Sequence, residues 1–118
     1  MFALLASFAA AATLSLTHAD TGKTFTLPPH TRVMVTLVVC GGCGYSWRLK
    51  PLNRSVIRHV STHVVPFNHP PRVVGTGAKV IWRFRTVGAG TSPLQLAYYP
   101  PGRNTKPADQ FLVTINVS

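Results

Sequence analysis

The chain has 118 residues, which suits one domain, and 46% of them are hydrophobic while only 12% are charged. This composition is too apolar and too poor in charge for a disordered chain. Twelve lysines and arginines face only two acids, Asp20 and Asp109, so the formal net charge is +10. Such a surface attracts anionic partners, and hydrolysis by paired carboxylates would have only these two acids to use.

An apolar, alanine-rich run, Met1–Leu16, opens the chain. The next three residues, Thr-His-Ala, place small side chains where a signal peptidase reads, so we expect a signal peptide over residues 1–19 with cleavage after Ala19. The rival interpretation is a membrane anchor, but a spanning helix needs about 20 apolar residues and this run is shorter. The pattern predicts an exported protein, secreted or periplasmic, without stable membrane insertion after cleavage.

Alternation of apolar and polar residues dominates the rest of the chain, as is typical of half-buried strands. The longer stripes lie at Val33–Val39, Val80–Phe84, Leu94–Tyr98 and Phe111–Val117. Shorter strands are expected at Thr24–Leu27, Tyr45–Leu49 and Val56–Val64. Glycine- and proline-rich turns separate these segments, and none of them has a helical period. The sequence therefore predicts an all-β fold, an antiparallel β-sandwich of roughly seven short strands.

Three motifs follow one another along this pattern. The first is CGGCGYSWRL at 40–49, which enters the second short strand. The second is GTGA at 75–78, ahead of a strand that carries WRF at 82–84. The third is LQLAY at 94–98, followed by YPPG at 99–102, and a closing strand then ends the chain.

In this order the motifs resemble those of the chagasin family of cysteine peptidase inhibitors, over nearly all of residues 20–118. The resemblance implies an immunoglobulin-like antiparallel β-sandwich of about seven to eight strands, and a reversible inhibitor rather than an enzyme. Three loops would enter the active-site cleft of a papain-like cysteine peptidase. Gly-Tyr-Ser-Trp matches the first family motif, whereas Pro100 and Gly102 stand where the family's third loop has Arg and Trp. We expect a monomer without cofactor and without catalytic residues.

The resemblance assigns peptidase binding to the tips of the three loops. These residues are Gly42, Cys43, Gly44, Tyr45, Gly75, Thr76, Gly77, Ala78, Tyr99, Pro100, Pro101, Gly102 and Arg103. Glycine in the first loop lets the backbone approach the catalytic cysteine, because it has no side chain to clash. The second loop would lie as an extended strand in the cleft, and the prolines of the third would reduce the entropy lost on binding. We expect Trp47, Trp82 and Tyr98 in the core and Tyr99 exposed.

The two cysteines and two of the histidines allow other interpretations. Cys40-x-x-Cys43 and His59-x-x-x-His63 are separated as in a Cys2His2 zinc site. On a strand, however, residues four apart lie about 13 Å apart, too far to share one ion. A thioredoxin-like pair needs a helix start, and a cysteine–histidine enzyme needs a recognisable nucleophile motif; neither is visible. We prefer a loop disulfide between Cys40 and Cys43 in an oxidising compartment, and no metal.

The alternative function is a basic, exported β-sandwich that binds an anionic partner without inhibiting peptidases. The net charge of +10 favours it. Nucleic acid is not the expected partner, because the sequence does not interleave basic clusters with exposed aromatic residues.

Overall fold

The computed structural model describes residues 12–40, 43–66, 77–102 and 105–118. Its strands are β1 (Thr13–Thr17), β2 (Thr24–Leu27), β3 (Arg32–Val39), β4 (Ser46–Leu49), β5 (Ile57–Pro66), β6 (Ala78–Thr86), β7 (Gly90–Tyr99) and β8 (Asp109–Val117). One 3-10 helix, His18–Asp20, follows β1. Among the described residues, no helix is both long and apolar enough to cross a bilayer.

The strands form two four-stranded sheets. Sheet A has the order β1-β3-β6-β5, and sheet B has the order β2-β8-β7-β4. The predicted all-β, immunoglobulin-like sandwich is confirmed. Four of the described strand pairs are antiparallel, whereas β1 pairs with β3 in parallel and β2 pairs with β8 in parallel. A parallel pair needs a crossover connection, and the chain supplies one for β1 and β3 by passing through β2 in the other sheet.

One hydrophobic core lies between the sheets and is filled by the stripes seen in the sequence. In sheet A, Val33, Val35 and Leu37 alternate with outward-facing residues and are fully buried. Phe84 on β6 and Phe111 on β8 are the largest fully buried side chains. Because successive strand residues point to opposite faces, the same alternation turns polar and charged side chains outward, together with a few apolar ones such as Val38 and Leu112.

Strand β1 lies within the segment for which the sequence predicts a signal peptide. Leu14 pairs with Val33 and Leu16 pairs with Val35, and Leu16 is only 2% exposed. Residues 1–11 of the predicted signal lie outside the described residues. The folded arrangement does not report on processing, so cleavage after Ala19 stays a prediction. The structure does show that such a cleavage would remove an edge strand and a core side chain.

Candidate binding surface at the loop end

Three connections leave the sandwich at the same end. They are 40–45 after β3, 67–77 after β5 and 100–108 after β7. In sheet A, Val39 pairs with Ala78, and Ala78 pairs with Pro66, so the first two connections start side by side. In sheet B, Ser46 pairs with Tyr99, so the first connection returns where the third begins. The topology thus brings together the three loops that the motifs predicted.

The first and third loops also contact each other directly. The backbone N–H of Cys40 donates a hydrogen bond of 2.8 Å to the hydroxyl oxygen of Tyr98. Gly44 has a φ of +80°, and a Cβ atom built there would lie 3.1 Å from the Cβ of Pro101. A side chain at this position would therefore be strained by its own backbone and crowded by the third loop. Glycine allows the two loops to touch.

A disulfide and an aromatic stack support the first loop. Cys40 and Cys43 are joined by a disulfide bond, with their Cα atoms 5.6 Å apart. Beneath it the ring of Tyr98 lies 5.1 Å from that of Tyr45 and 4.7 Å from that of Trp47. Trp47 is buried in the core, as predicted, and its indole N–H donates to the carbonyl of Val38 at 2.9 Å. The stack ties the loop to both sheets, since Trp47 belongs to sheet B and Val38 to sheet A.

Tyr99 ends β7, directly before the third loop, and is half-buried, whereas the sequence predicted it to be exposed. The guanidinium carbon of Arg48 lies 4.7 Å from its ring centre, and the ammonium of Lys50 lies 5.0 Å from it. Lys50 also donates a hydrogen bond to the Tyr99 hydroxyl. Cations at this distance are attracted to the electron-rich ring face. Sequence reasoning missed both cations, because only the register of β4 against β7 brings them to Tyr99.

The two acidic side chains of the chain both lie near the N-terminal 3-10 helix. Asp109 contacts the imidazole of His18 at 3.0 Å, and Asp20 contacts the ammonium of Lys23 at 3.0 Å. The backbone N–H of Thr17 donates to the Asp20 carboxylate, and this bond, with the one from Lys23, lowers the pKa of Asp20. Because the chain has no other acidic side chain, the cations around Tyr99 depend on solvent or a partner for an opposite charge.

The described residues include only part of the predicted site. Cys43, Gly44 and Tyr45 lie in the first loop, and Tyr99, Pro100, Pro101 and Gly102 lie at the start of the third. Gly77 and Ala78 end the second, where Ala78 is already the first residue of β6 and is 9% exposed. Its side chain therefore supports the loop and offers little contact surface. Gly42, Gly75, Thr76 and Arg103 lie outside the described residues.

The histidines of the zinc alternative do not converge. His59 pairs with Phe84, and its ring packs 5.4 Å from the ring of Trp82. A regular ladder that starts from the pair of His59 and Phe84 would place His63 opposite Val80. The bulge between His59 and Ser61 shifts the register by one residue, so His63 pairs with Ile81 instead. Since Phe84 and Ile81 face opposite sides of the sheet, the two imidazoles do too. Among the described residues, no three His, Cys, Asp or Glu side chains come together.

The sandwich holds three loops together at one end, which suits binding of a partner by shape, and its two cysteines are joined in a disulfide. The comparison with known families agrees: residues 26–117 match the model described as Chagasin family peptidase inhibitor I42. The chain belongs to the chagasin family of peptidase inhibitors. The resemblance seen in the sequence is confirmed, and so is the prediction that the chain is an inhibitor and not an enzyme.

Three solved structures with the same fold match nearly the whole chain. The cysteine protease inhibitor EhICP2 from Entamoeba histolytica has a TM-score of 0.81 at 16% identity, over 92% of this chain and 97% of that one. PbICP-C, solved in complex with falcipain-2, has a TM-score of 0.67 at 15% identity, over 92% and 100%. Amebosin has a TM-score of 0.62 at 21% identity, over 91% and 98%. None of the curated proteins compared with the chain matches it in sequence.

Proposed function

We propose that this chain inhibits papain-like cysteine peptidases reversibly, by inserting its three loops into the active-site cleft. The observation that carries the proposal is that the first loop is joined to the end of β7 through Cys40 and Tyr98, and touches the third loop through Gly44 and Pro101. Loops that are ordered before binding lose less conformational entropy when they bind. Membership of the chagasin family supports the class of target, as does the fold shared with an inhibitor that was solved on a peptidase.

The loop tips suggest how contact would be made. The glycine backbone around Cys43 would approach the catalytic cysteine, and the end of the second loop would lie in the cleft as an extended strand. Tyr99 is the large aromatic side chain at the start of the third loop, and tyrosine is a favoured interface anchor. Arg48 and Lys50 hold its ring and add positive charge beside it. This charge favours a peptidase whose cleft is rimmed by acidic residues, because complementary charge speeds association.

We also propose that the protein is exported. The apolar run Met1–Leu16 supports this, and so does the pairing of Cys40 with Cys43, because disulfides persist in oxidising compartments. Sequencing the N-terminus of the protein secreted by its own cells decides the point, and a mature chain starting at Asp20 would establish cleavage after Ala19.

Titration against papain and a cathepsin-type peptidase tests the proposed function, with trypsin as the control. Stoichiometric, reversible inhibition of the papain-like enzymes, no effect on trypsin and recovery of the inhibitor uncleaved are expected. Activity that is unchanged at micromolar inhibitor in every papain-like peptidase would overturn the proposal.

A further inference from the structure

A row of arginines crosses the outer face of sheet A, away from the three loops. Arg32 on β3 pairs with Arg85 on β6, and Arg85 pairs with Arg58 on β5. Side chains that are directly paired share one face of a sheet, with their Cβ atoms about 5 Å apart. Because Val33 and Phe84, the neighbours of this row, are buried in the core, the three arginines point to solvent, and all three are exposed.

A shallow depression adjoins the row. It has a volume of about 530 Å³ and lies between Arg32, Arg85, Met34, Val60 and a fourth arginine, Arg83. Arg83 pairs with Met34 on one side, and on the other with Ser61, next to the bulge that follows His59. The depression therefore combines three guanidinium groups with the apolar sides of a methionine and a valine.

These cations repel one another, and the chain offers no carboxylate side chain to offset them. Like charges directly opposite in a sheet are destabilising. The only two acidic side chains, Asp20 and Asp109, contact Lys23 and His18. A row of directly paired arginines costs stability in the free protein. An anionic ligand that bridges them would convert that repulsion into binding energy.

We propose that this arginine face binds a linear sulfated polysaccharide. A guanidinium group can form two parallel hydrogen bonds to an oxyanion such as a sulfate ester. The hydroxyl groups of Thr13 and Ser61, which pair with Arg32 and Arg83, flank the row and can bond to sugar hydroxyls. The row is one side chain wide, as a linear polyanion needs.

Other polyanions fit this face less well. Among the described outward residues of sheet A there is no Phe, Tyr or Trp on which a nucleobase could stack. A flat sheet face does not enter a duplex groove. The apolar side chains beside the arginines, Met34 and Val60, are too few to insert into a bilayer as amphipathic anchors do.

The arginine face is independent of the proposed inhibitory loops. Arg32 begins β3 and Val39 ends it at the loop end. Seven residues of strand separate them by about 23 Å. A peptidase held by the loops would therefore leave the arginine face open, so one molecule could bind both partners at once.

The test compares two double variants that each remove two positive charges. Arg58→Gln/Arg85→Gln lies in the row, and Lys23→Gln/Lys106→Gln lies outside it. Binding to heparin is measured by salt elution from a column and by titration calorimetry, with fully desulfated heparin, a 20-base-pair DNA duplex and phosphatidylserine vesicles as comparison ligands. We expect heparin affinity to fall by about tenfold or more in the arginine variant, because two ionic contacts are lost. The salt dependence of binding should become weaker as well, since fewer counterions are released. The lysine variant should lose less than threefold.

Three results would overturn the proposal. They are an equal loss of heparin affinity in both variants, binding of desulfated heparin as tight as that of heparin, and tighter binding of the duplex or the vesicles than of heparin. Thermal melting checks the fold, and the free arginine variant should melt no lower than the parent, since repulsion has been removed. Papain inhibition should be unchanged in the arginine variant, which separates this proposal from the inhibitory one.

Discussion

The hydroxyl oxygen of Tyr98, near the end of β7, accepts a hydrogen bond of 2.8 Å from the backbone N–H of Cys40, where the first loop begins. This bond joins the first loop to the strand that leads into the third loop, far away in the sequence. The same tyrosine ring stacks between Tyr45 and Trp47. One residue thus supports the first loop through both its ring and its hydroxyl group.

Tyr98→Phe keeps the ring and removes only the hydroxyl group. Loss of the hydrogen bond from the Cys40 N–H should lower the free energy of unfolding by about 1 kcal/mol, which corresponds to a melting temperature about 4 °C lower. Inhibition of papain should weaken as well, because the first loop is less ordered. Tyr99→Phe is the matched control and should change stability by less than half as much, since the Lys50 ammonium that loses its bond ends a flexible side chain and can turn to water. Equal effects of the two variants would contradict the special role of Tyr98.

The third loop departs from the family sequence at Pro100 and Gly102, and both positions can be changed back. The structure predicts different results for the two changes. Pro100→Arg should tighten inhibition by about tenfold, if a side chain worth about 1.4 kcal/mol is regained at the interface. Gly102→Trp should gain less or lose, because Gly102 has a φ of +113°, where a side chain is strained by about 1–3 kcal/mol. Inhibition constants for the single and double variants test this. A Gly102→Trp variant that binds more tightly than Pro100→Arg would show that the loop docks in another conformation.

Reduction of the disulfide is expected to loosen the first loop rather than unfold the protein. The ring closed by Cys40 and Cys43 is small, so its loss should cost at most about 2 kcal/mol of stability. Cys40→Ser/Cys43→Ser should therefore fold and inhibit non-covalently, with a lower affinity than the oxidised parent. Intact-mass analysis with and without alkylation checks the starting state. Two alkylated thiols in protein exported by its own cells would refute the disulfide, and complete loss of inhibition in the variant would make Cys43 a reactive element.

Asp20 should make stability depend on acid pH. The hydrogen bond from the Thr17 N–H, followed by the bond from Lys23, lowers the pKa of Asp20 below its ordinary value of 3.8. A carboxyl group with a lowered pKa stabilises the fold above the ordinary value, and this contribution is lost as pH falls through the folded pKa. Asp20→Asn should therefore be less stable than the parent at pH 6, and the difference should shrink towards pH 3. Lys23→Gln removes only the lesser cause and should show a smaller difference in urea unfolding at both pH values.

The N-terminal strand should be needed for full stability. Leu16→Ala should lower the free energy of unfolding by about 2–5 kcal/mol, as for other buried leucines. The fragment 20–118 lacks β1 altogether, so β3 becomes an edge strand. Its free energy of unfolding should therefore fall by more than that of Leu16→Ala. Ser15→Ala, on the outer face of the same strand, is the control and should change little. Urea unfolding of the fragment at the same midpoint as the whole chain would show that β1 is dispensable.

The amino-acid pattern alone was enough to identify most strands, the class of fold and the family. Residues such as Val33, Val35 and Leu37 alternate because each must face one core, and this local period can be read without knowing what covers it. Loop glycines and prolines were readable for a similar reason, since they limit the backbone of their own residues. Strand β1 was not recognised, because an alanine-rich apolar run at the N-terminus has the composition of a targeting segment.

Only the tertiary structure decided which distant residues meet. The contact of Tyr98 with Cys40, the cations around Tyr99 and the row formed by Arg32, Arg85 and Arg58 all depend on which strands are neighbours and in what register. A shift of one residue would turn each of those side chains to the other face. Register is set by the burial of whole strands against one another, so no local stretch of the sequence contains it.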